Sequence, residues 1–190
     1  MKRTLPDCDV TVVVRACDDE DRIGHVLVRV ARHLRSLGLS FEILVPDEGS
    51  GDNTVAIAVL LKPSIRELEV MHAEPQHGFR QACESARGRT VVLYDVRTDA
   101  PLSALGYALD RLREGADVVA LSGRFLVFRR TRAWRAFDTL VQRRDPLTLE
   151  HRFLKRARSL GLSCTVTHRK RRSPWTVLRQ MFTTTAPVRT

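Results

Sequence analysis

The chain has 190 residues and a net charge of +10, and its 43% hydrophobic and 28% charged residues exclude a disordered chain. No apolar run approaches the roughly 20 residues of a membrane-spanning helix, and the N-terminal residues lack the apolar core of a signal peptide, so we expect a cytoplasmic protein. The four cysteines are scattered without a CxxC pair, which argues against a disulfide framework or a zinc site.

The first two thirds of the chain alternate between strand-like and helix-like segments. Runs of β-branched and apolar residues predict five strands, at residues 9–15, 41–45, 67–71, 90–94 and 117–121. Apolar residues at helical spacing, ended by Gly or Pro, predict helices at residues 22–37, 53–62, 78–87 and 101–114. Because short connections join the alternating elements, we predict an α/β, Rossmann-like fold with a mainly parallel sheet and helices on both faces.

The last third of the chain has a different pattern. Its predicted elements are strands at residues 125–128 and 163–167 and helices at residues 130–141, 147–160 and 174–182. No internal repeat or low-complexity linker separates this part from the rest. We therefore predict a single domain over residues 1–190, with a basic C-terminal part at residues 124–182.

The charge is distributed unevenly along the chain. Residues 121–190 hold 17 Lys and Arg but only three acids, whereas residues 1–120 hold 15 Lys and Arg and 19 acids. A basic C-terminal third suggests an anionic partner, which could be a phosphate group, an anionic membrane surface or nucleic acid. The alternative is a solvated basic surface without a ligand.

The stretch Val-Pro-Asp-Glu-Gly-Ser-Gly-Asp-Asn-Thr, residues 45–54, follows a predicted strand and begins a predicted helix. Asp47 and Glu48 lie at the end of the strand, and the two glycines allow a tight turn. A strand end followed by a helix start is where α/β proteins bind nucleotides. For Asp47 a role in such a pocket competes with a role in the turn, and we favour the pocket. For Asp52 we favour capping of the next helix.

The order of these elements and motifs resembles the family-2 glycosyltransferases of the GT-A fold, and most closely their polyprenyl-phosphate (dolichyl-phosphate) mannosyl- and glucosyltransferase branch. Residues 15–20, Arg-Ala-Cys-Asp-Asp-Glu, align with the family's Pro-Ala-Tyr-Asn-Glu-Glu. Residues 47–54 align with its Asp-Asp-Gly-Ser-Thr-Asp-Gly-Thr. The resemblance covers residues 9–122 well and residues 147–175 loosely.

This resemblance implies a nucleotide-diphospho-sugar donor, linked to UDP or GDP. Ala16, Asp19 and Asp47 would line its base and ribose, since carboxylates accept hydrogen bonds from base N–H groups and from ribose hydroxyls. Arg80, in the short helix that follows the third strand, is a further candidate contact to the nucleotide-sugar.

The family's Asp-x-Asp motif after the fourth strand holds a divalent metal ion on the diphosphate, and here it reads Asp95-Val96-Arg97. A metal ion such as Mg²⁺ or Mn²⁺ needs hard oxygen ligands, which Asp95 and Asp99 could supply in part. In one interpretation Arg97 neutralises the leaving diphosphate, which makes Asp95 and Arg97 candidate catalytic residues. In the other, which we favour, the metal site has decayed.

The acceptor side also departs from the family. Residues 121–124 run directly into residues 125–132, where the family has a longer segment, so the acceptor site is reduced or completed by another chain. Glu150 falls where the family often has an acid near the acceptor, and is a candidate general base. The alternative for Glu150 is a helix-surface carboxylate that pairs with a cation such as Lys155.

A basic run at residues 168–173 resembles the family's Arg-rich segment near the acceptor phosphate. Arg169, Arg171 and Arg172 are therefore candidates for binding a phosphate or an anionic lipid. The apolar residues of the predicted helix 174–182 suit a membrane surface, a partner protein or packing against the core. Attachment to the periphery of a membrane is thus an alternative to a freely cytoplasmic location.

Three hypotheses follow from the sequence. The first is a compact glycosyltransferase that moves a sugar from a nucleotide-sugar to a phosphorylated lipid or another anionic acceptor. The second is a catalytically impaired GT-A pseudoenzyme that serves as a binding or assembly module. Nucleic-acid binding through residues 124–172 ranks last, because aromatic residues are few there and no recognition motif is present.

Overall fold

The computed structural model describes residues 8–98, 101–121, 125–133, 136 and 146–167. The predicted helix 174–182, the basic run 168–173 and most of the second half of the predicted helix 130–141 lie outside these residues. Within the described residues, no helix is long and apolar enough to cross a membrane.

A seven-stranded sheet forms the centre of the described structure. Its strands are β1 (Val10–Arg15), β2 (Phe41–Asp47), β3 (Leu68–His72), β4 (Thr90–Asp95), β5 (Val118–Leu121), β6 (Phe125–Arg129) and β7 (Cys164–Thr167). Their order across the sheet is β3-β2-β1-β4-β6-β5-β7. All neighbouring pairs are parallel except those of β6, which runs antiparallel to both β4 and β5. The predicted mainly parallel sheet is confirmed.

Six helices accompany the sheet in the described residues. They are α1 (Glu20–Ser36), α2 (Thr54–Leu61), α3 (Gly78–Ser85), α4 (Ser103–Arg113), α5 (Arg130–Ala133) and α6 (Pro146–Ser159). Helices α1, α2 and α4 contribute to the hydrophobic cluster on one face of the sheet, and α3 and α6 to the cluster on the other. The predicted arrangement of helices on both faces is confirmed.

The core is built from the apolar residues that the helical and strand patterns select. On one face Ile23, Leu27 and Leu34 of α1 are fully buried against the sheet. On the other, Phe128 of β6 packs on Phe153 of α6 with ring centroids 5.1 Å apart. The buried central strands are rich in Val, Ile and Leu, as expected for a sheet covered on both sides.

Strand β2 extends two residues beyond the predicted strand, through Pro46 to Asp47. Its pairing with β1 ends at Leu44, whereas its pairing with β3 continues to Asp47. The N–H of Ile43 donates to a carbonyl on the β3 side. Because N–H groups alternate in direction along a strand, the N–H that proline lacks at position 46 would have pointed toward β1, with which pairing has already ended. Proline is therefore tolerated here, and Asp47 is carried to the end of the sheet.

A buried polar cluster bonds the chain segment after α3 to the amino ends of β1 and β2, opposite the end that carries Asp47. One oxygen of Glu42 accepts hydrogen bonds from the Thr11 hydroxyl and from the Arg87 amide, each at 2.6 Å. The Arg87 guanidinium pairs with the other oxygen. Gly88 packs so closely that a Cβ there would lie 2.3 Å from the Thr11 backbone nitrogen. This cluster fixes where β4 begins, and thus where its other end lies.

Candidate functional site

The carboxyl ends of β1, β2 and β4 meet at one edge of the sheet. From β1 the chain proceeds to β2 and β3 on one side, whereas β4 lies on the other side of β1, so β1 and β4 flank a topological switch point. Their last residues, Arg15 and Asp95, are register partners. Ligands of open α/β sheets bind in the crevice at such a switch point. The fold therefore places the candidate site at Arg15, Asp95 and the loops that follow them.

The loop after β1 is bonded to the loop after β2. Asp18, in the left-handed region at φ 54°, accepts a hydrogen bond from the Gly51 amide at 2.8 Å. The backbone N–H of Asp19 donates to the Thr54 hydroxyl at 2.8 Å. An aspartate tolerates this backbone conformation better than most residues. The two loops consequently form one unit on the β2 side of the switch point.

Asp52 joins the first turns of two helices. One of its carboxylate oxygens accepts from the Thr54 amide of α2 at 2.9 Å, and the other accepts from the Glu20 amide of α1 at 3.0 Å. Hydrogen bonding from Thr54 lowers the pKa of Asp52 below its usual value. Asp52 thus accepts from the first amide of α2, as the predicted capping role requires, but the N-cap position of α2 itself is occupied by Asn53.

Asp47 and Glu48 are adjacent in sequence but have different partners. Asp47 uses its Oδ1 atom to accept from the amide and the hydroxyl of Ser50, at 3.0 and 2.7 Å. Glu48 reaches the N-terminus of α3, where it accepts from the amides of Gly78 at 3.0 Å and Gln76 at 3.3 Å. The sequence did not reveal this second contact. The feature of the sequence that reflects this contact is the glycine at position 78, because a Cβ there would lie 2.6 Å from the Glu48 carboxylate.

Asp19 is buried in the centre of the site, with 2% of its side chain exposed. It accepts from the Cys17 amide at 3.1 Å, from Arg22 at 3.4 Å, and from the Arg97 Nε atom, which lies 3.1 Å from both carboxylate oxygens. Ala16, three residues before Asp19, is buried as well. The carboxylate thus joins the loop after β1 to Arg97, which follows β4.

Arg97 spans the switch point. In addition to its contact with Asp19, its Nη2 atom donates to the Cys17 carbonyl. Its backbone N–H donates to the Asp95 carboxylate at 2.9 Å, in a turn that Thr98 closes by donating to the Asp95 carbonyl. The hydrogen bonds with Asp19 raise the pKa of Arg97 above its usual value. The side chain is 53% exposed, so a ligand in the crevice can reach it.

Asp95 is buried at the end of β4 and contacts the Arg15 side chain and the Arg97 backbone. Its Oδ1 atom accepts from the Arg97 amide, and its Oδ2 atom lies 3.5 Å from Arg15 Nη1. The Arg15 guanidinium also lies over the Phe79 ring, 6.0 Å from its centroid. Arg15 and Arg22 were not identified from the sequence. The sequence did contain an indication for Arg15, because this arginine occupies the position at which the resembling family has proline.

The acids at this edge do not form a set of metal ligands. In the described part of the chain, no group of three or more His, Cys, Asp or Glu side chains could hold a metal ion. Asp19 and Asp95 both contact arginines, and Arg97 takes the position of a second carboxylate. Asp99, the other candidate ligand, lies outside the described residues. The donors that are described therefore fit a divalent metal ion poorly.

The other predicted site residues lie elsewhere or outside the described residues. Arg80 is in the first turn of α3 and pairs with Glu84 at 3.0 Å. Glu150 is in α6, which packs against β5 and β7. The candidate phosphate-binding residues lie outside the described residues: Arg169, Arg171 and Arg172. The functional roles assigned from the sequence to the candidate site residues stay predictions.

Sequence comparison finds two curated relatives, whereas no family model matches the chain. A protein of Synechocystis, described as an uncharacterized glycosyltransferase, is 24% identical in an alignment 115 positions long that covers 58% of this chain and 36% of that protein. An undecaprenyl-phosphate 4-deoxy-4-formamido-L-arabinose transferase of Pseudomonas paraeruginosa is 30% identical in an alignment 143 positions long that covers 68% of this chain and 39% of that protein. The chain thus spans little more than a third of the length of either relative.

Solved structures with the same arrangement cover nearly the whole chain. A mannosyltransferase of Pyrobaculum calidifontis, in complex with GDP-Man and Mn²⁺, matches with a TM-score of 0.62 and 18% identity over 93% of this chain and 61% of that one. Glucosyl-3-phosphoglycerate synthase of Mycobacterium tuberculosis, in complex with Mn²⁺, UDP and phosphoglyceric acid, matches with a TM-score of 0.61 and 18% identity over 92% of this chain and 74% of that one.

Proposed function

From the GT-A glycosyltransferase fold of this chain, and from curated relatives that are glycosyltransferases, we propose that the chain binds a nucleotide-diphospho-sugar at the ends of β1, β2 and β4. The sequence-based assignment to the GT-A fold is confirmed. Transfer of the sugar to a phosphorylated lipid or another anionic acceptor is the reaction we propose for the protein.

The observation that supports donor binding most directly is the pair of arginines at the switch point. The Arg15 guanidinium pairs with Asp95, and Arg97 donates its backbone N–H to Asp95 while its guanidinium holds Asp19, at the ends of β1 and β4 where an α/β sheet receives its ligand. A guanidinium group matches the geometry and charge of a diphosphate, and its charge stabilises the leaving group of sugar transfer. Arg97 is half exposed and therefore accessible to this part of the donor.

The nucleoside would lie on the β2 side of the crevice. A carboxylate has about four acceptor positions. The Asp19 carboxylate accepts one contact from Cys17, one from Arg22 and one on each oxygen from Arg97, which occupies that capacity. A base N–H would therefore have to displace one of these contacts. The contacts described for Asp47 all use Oδ1. Asp47 is therefore the candidate that could bind the base or ribose without a rearrangement.

An anionic acceptor is supported by the basic C-terminal part and by one relative. Residues 121–190 carry 17 Lys and Arg against three acids. The Pseudomonas relative is by name an undecaprenyl-phosphate sugar transferase. We propose that Arg169, Arg171 and Arg172 bind the acceptor phosphate, in a cytoplasmic protein at the periphery of a membrane. Because such an acceptor is already anionic, Glu150 would be needed as a general base only for a neutral acceptor.

The arginine at position 97 also favours a second candidate function. Where the family has a second carboxylate, this side chain is bonded to Asp19. A protein that kept the fold and donor binding but lost transfer would be a catalytically impaired GT-A module for binding or assembly. Donor turnover separates the two candidates, because only the enzyme releases free UDP or GDP from the nucleotide-sugar.

A thermal-shift screen with UDP, GDP and their sugar conjugates tests donor binding. A ligand that binds only the folded state at a hundredfold excess over its Kd stabilises it by about 2.7 kcal/mol. For a domain of this size, that corresponds to a Tm increase of roughly 5–10 °C. ATP is the control nucleotide, for which we expect a smaller shift. If none of the uridine or guanosine nucleotides raises the Tm above the ATP control, the proposal is wrong.

A further inference from the structure

We propose that the guanidinium of Arg97, rather than a divalent metal ion, neutralises the nucleotide diphosphate in this site. The inference rests on the proposed function, because it concerns how a nucleotide diphosphate is held once it binds. It separates this chain from the structural neighbours that were solved with Mn²⁺.

The two buried acids of the site, Asp19 and Asp95, are already paired with arginines. Asp95 pairs with Arg15, and Asp19 pairs with both Arg22 and Arg97. A metal ion on either carboxylate would have to displace an arginine or approach it closely. Both alternatives are unfavourable, since one removes an ion pair of a buried acid and the other brings like charges together.

Arg97 is held in place before any ligand binds. Its backbone is fixed by the turn that Asp95 and Thr98 form, and its side chain by Asp19 and the Cys17 carbonyl. Asp19 is itself anchored, because its backbone N–H donates to Thr54. A preorganised cation loses little conformational freedom when it binds a phosphate group.

The hydrogen-bonding capacity of a guanidinium exceeds the contacts described for Arg97. A guanidinium has five N–H donors in a planar fork. The side-chain contacts of Arg97 that the structure describes engage its Nε and Nη2 atoms, and 53% of the side chain is exposed. Further donors can therefore turn to phosphate oxygens while Asp19 still holds the group in position.

Isothermal titration of the wild-type chain with UDP and with GDP tests the inference. Each titration is run in EDTA and again in millimolar Mn²⁺ or Mg²⁺. We expect a Kd that changes by less than about threefold between these conditions, whereas a Kd that becomes at least tenfold lower with metal would overturn the inference. Binding that appears only with metal leaves donor binding intact and refutes this inference alone. Absence of binding under all conditions refutes both.

The Arg97→Asp variant recreates the Asp-x-Asp pattern of the resembling family. We expect it to bind the nucleotide at least tenfold more weakly than the wild type in EDTA, and to recover affinity when Mn²⁺ is added. Paramagnetic resonance of Mn²⁺ without nucleotide gives a second readout, in which the variant binds the ion more tightly than the wild type. If the variant shows unchanged affinity in EDTA, the inference is wrong.

Two further variants keep the test decisive. Arg113→Asp makes the same charge change on the exposed face of α4, where Arg113 pairs with Asp110. We expect this variant to bind nucleotide as the wild type does. If Arg97→Asp does not fold by circular dichroism, Arg97→Gln replaces it, because the amide removes the charge and keeps most of the side-chain length. We expect Arg97→Gln to bind nucleotide at least tenfold more weakly, and wild-type affinity would refute the inference.

Discussion

Two acids that are neighbours in sequence have separate structural roles at the edge of the site. Asp47 closes its own turn through Ser50, whereas Glu48 extends to the N-terminus of α3. The first amides of a helix have no partner within the helix, so a carboxylate placed there satisfies them and interacts favourably with the helix dipole. Glu48 is thereby the side chain that connects the motif of residues 45–54 to α3.

Glu48→Ala should lower the free energy of unfolding by about 1–2 kcal/mol, because the amides of Gly78 and Gln76 lose their acceptor. The expected fall in Tm is roughly 2–8 °C. Glu84→Ala is the control, since its exposed ion pair with Arg80 contributes at most about 1 kcal/mol. Urea unfolding of both variants checks this, and equal losses would contradict the special role of Glu48.

At the scale of elements, the two ends of the sheet differ in how they are held together. At the amino ends of the strands, a closely packed cluster forms from the side chains of Thr11 and Glu42 and the backbone of Arg87 and Gly88. At the carboxyl ends, ion pairs between loops hold Arg97 against Asp19. A rigid base and a polar, accessible edge are what a ligand site on an α/β sheet requires, because the strands position the loops that bind the ligand.

A matched pair of glycine substitutions tests the closely packed end. Gly88→Ala should destabilise by at least about 1–3 kcal/mol, since its Cβ would lie 2.3 Å from the Thr11 backbone nitrogen and backbone cannot move aside cheaply. Gly106→Ala, within α4, has open space around the new Cβ and should stabilise by roughly 0.5–1 kcal/mol. Thermal and urea unfolding measure the change in the free energy of unfolding for both variants, and thus its sign. A neutral Gly88→Ala would refute the packing argument.

At the scale of the whole molecule, ion pairs and hydrogen bonds distant in sequence link stability to pH. Hydrogen bonds from Ser40 lower the pKa of Asp9, and Arg89 adds to the effect. Burial opposes the shift at Glu67, but its pairing with Arg35 leaves the pKa lowered. A carboxyl group whose pKa is lower in the folded state than in the unfolded state stabilises the fold above its unfolded pKa, and this stabilisation is lost as the pH falls through the folded value.

The protein should therefore lose stability as the pH falls below about 4, the range in which ordinary Asp and Glu side chains become protonated. Asp9→Asn should be less stable than the wild type at pH 7, and the difference should shrink as the pH approaches 2. Urea unfolding between pH 7 and pH 2 measures this convergence. A difference that stays constant over the whole range would mean that Asp9 contributes no pH-dependent stability.

The sequence alone determined the order of strands and helices, the α/β class and the resemblance to GT-A glycosyltransferases. These features follow from local information. Apolar residues repeat with the period of the element that buries them, and residues such as Gly38 and Gly115, both at positive φ, stop helices where they occur. The motif of residues 45–54 is likewise contiguous, so its turn and the contact of Asp52 with the start of α2 could be predicted.

Only the tertiary structure decided how the candidate site is assembled. Arg97 and Asp19 are 78 positions apart, Glu48 and Gly78 are 30 apart, and β6 enters the sheet antiparallel between β4 and β5. Hydrophobic periodicity selects which face of an element is buried but not which distant side chain it will meet. For that reason the sequence left Arg97 open between a functional cation and a decayed metal position, whereas the fold places its guanidinium in contact with the Asp19 carboxylate across the switch point.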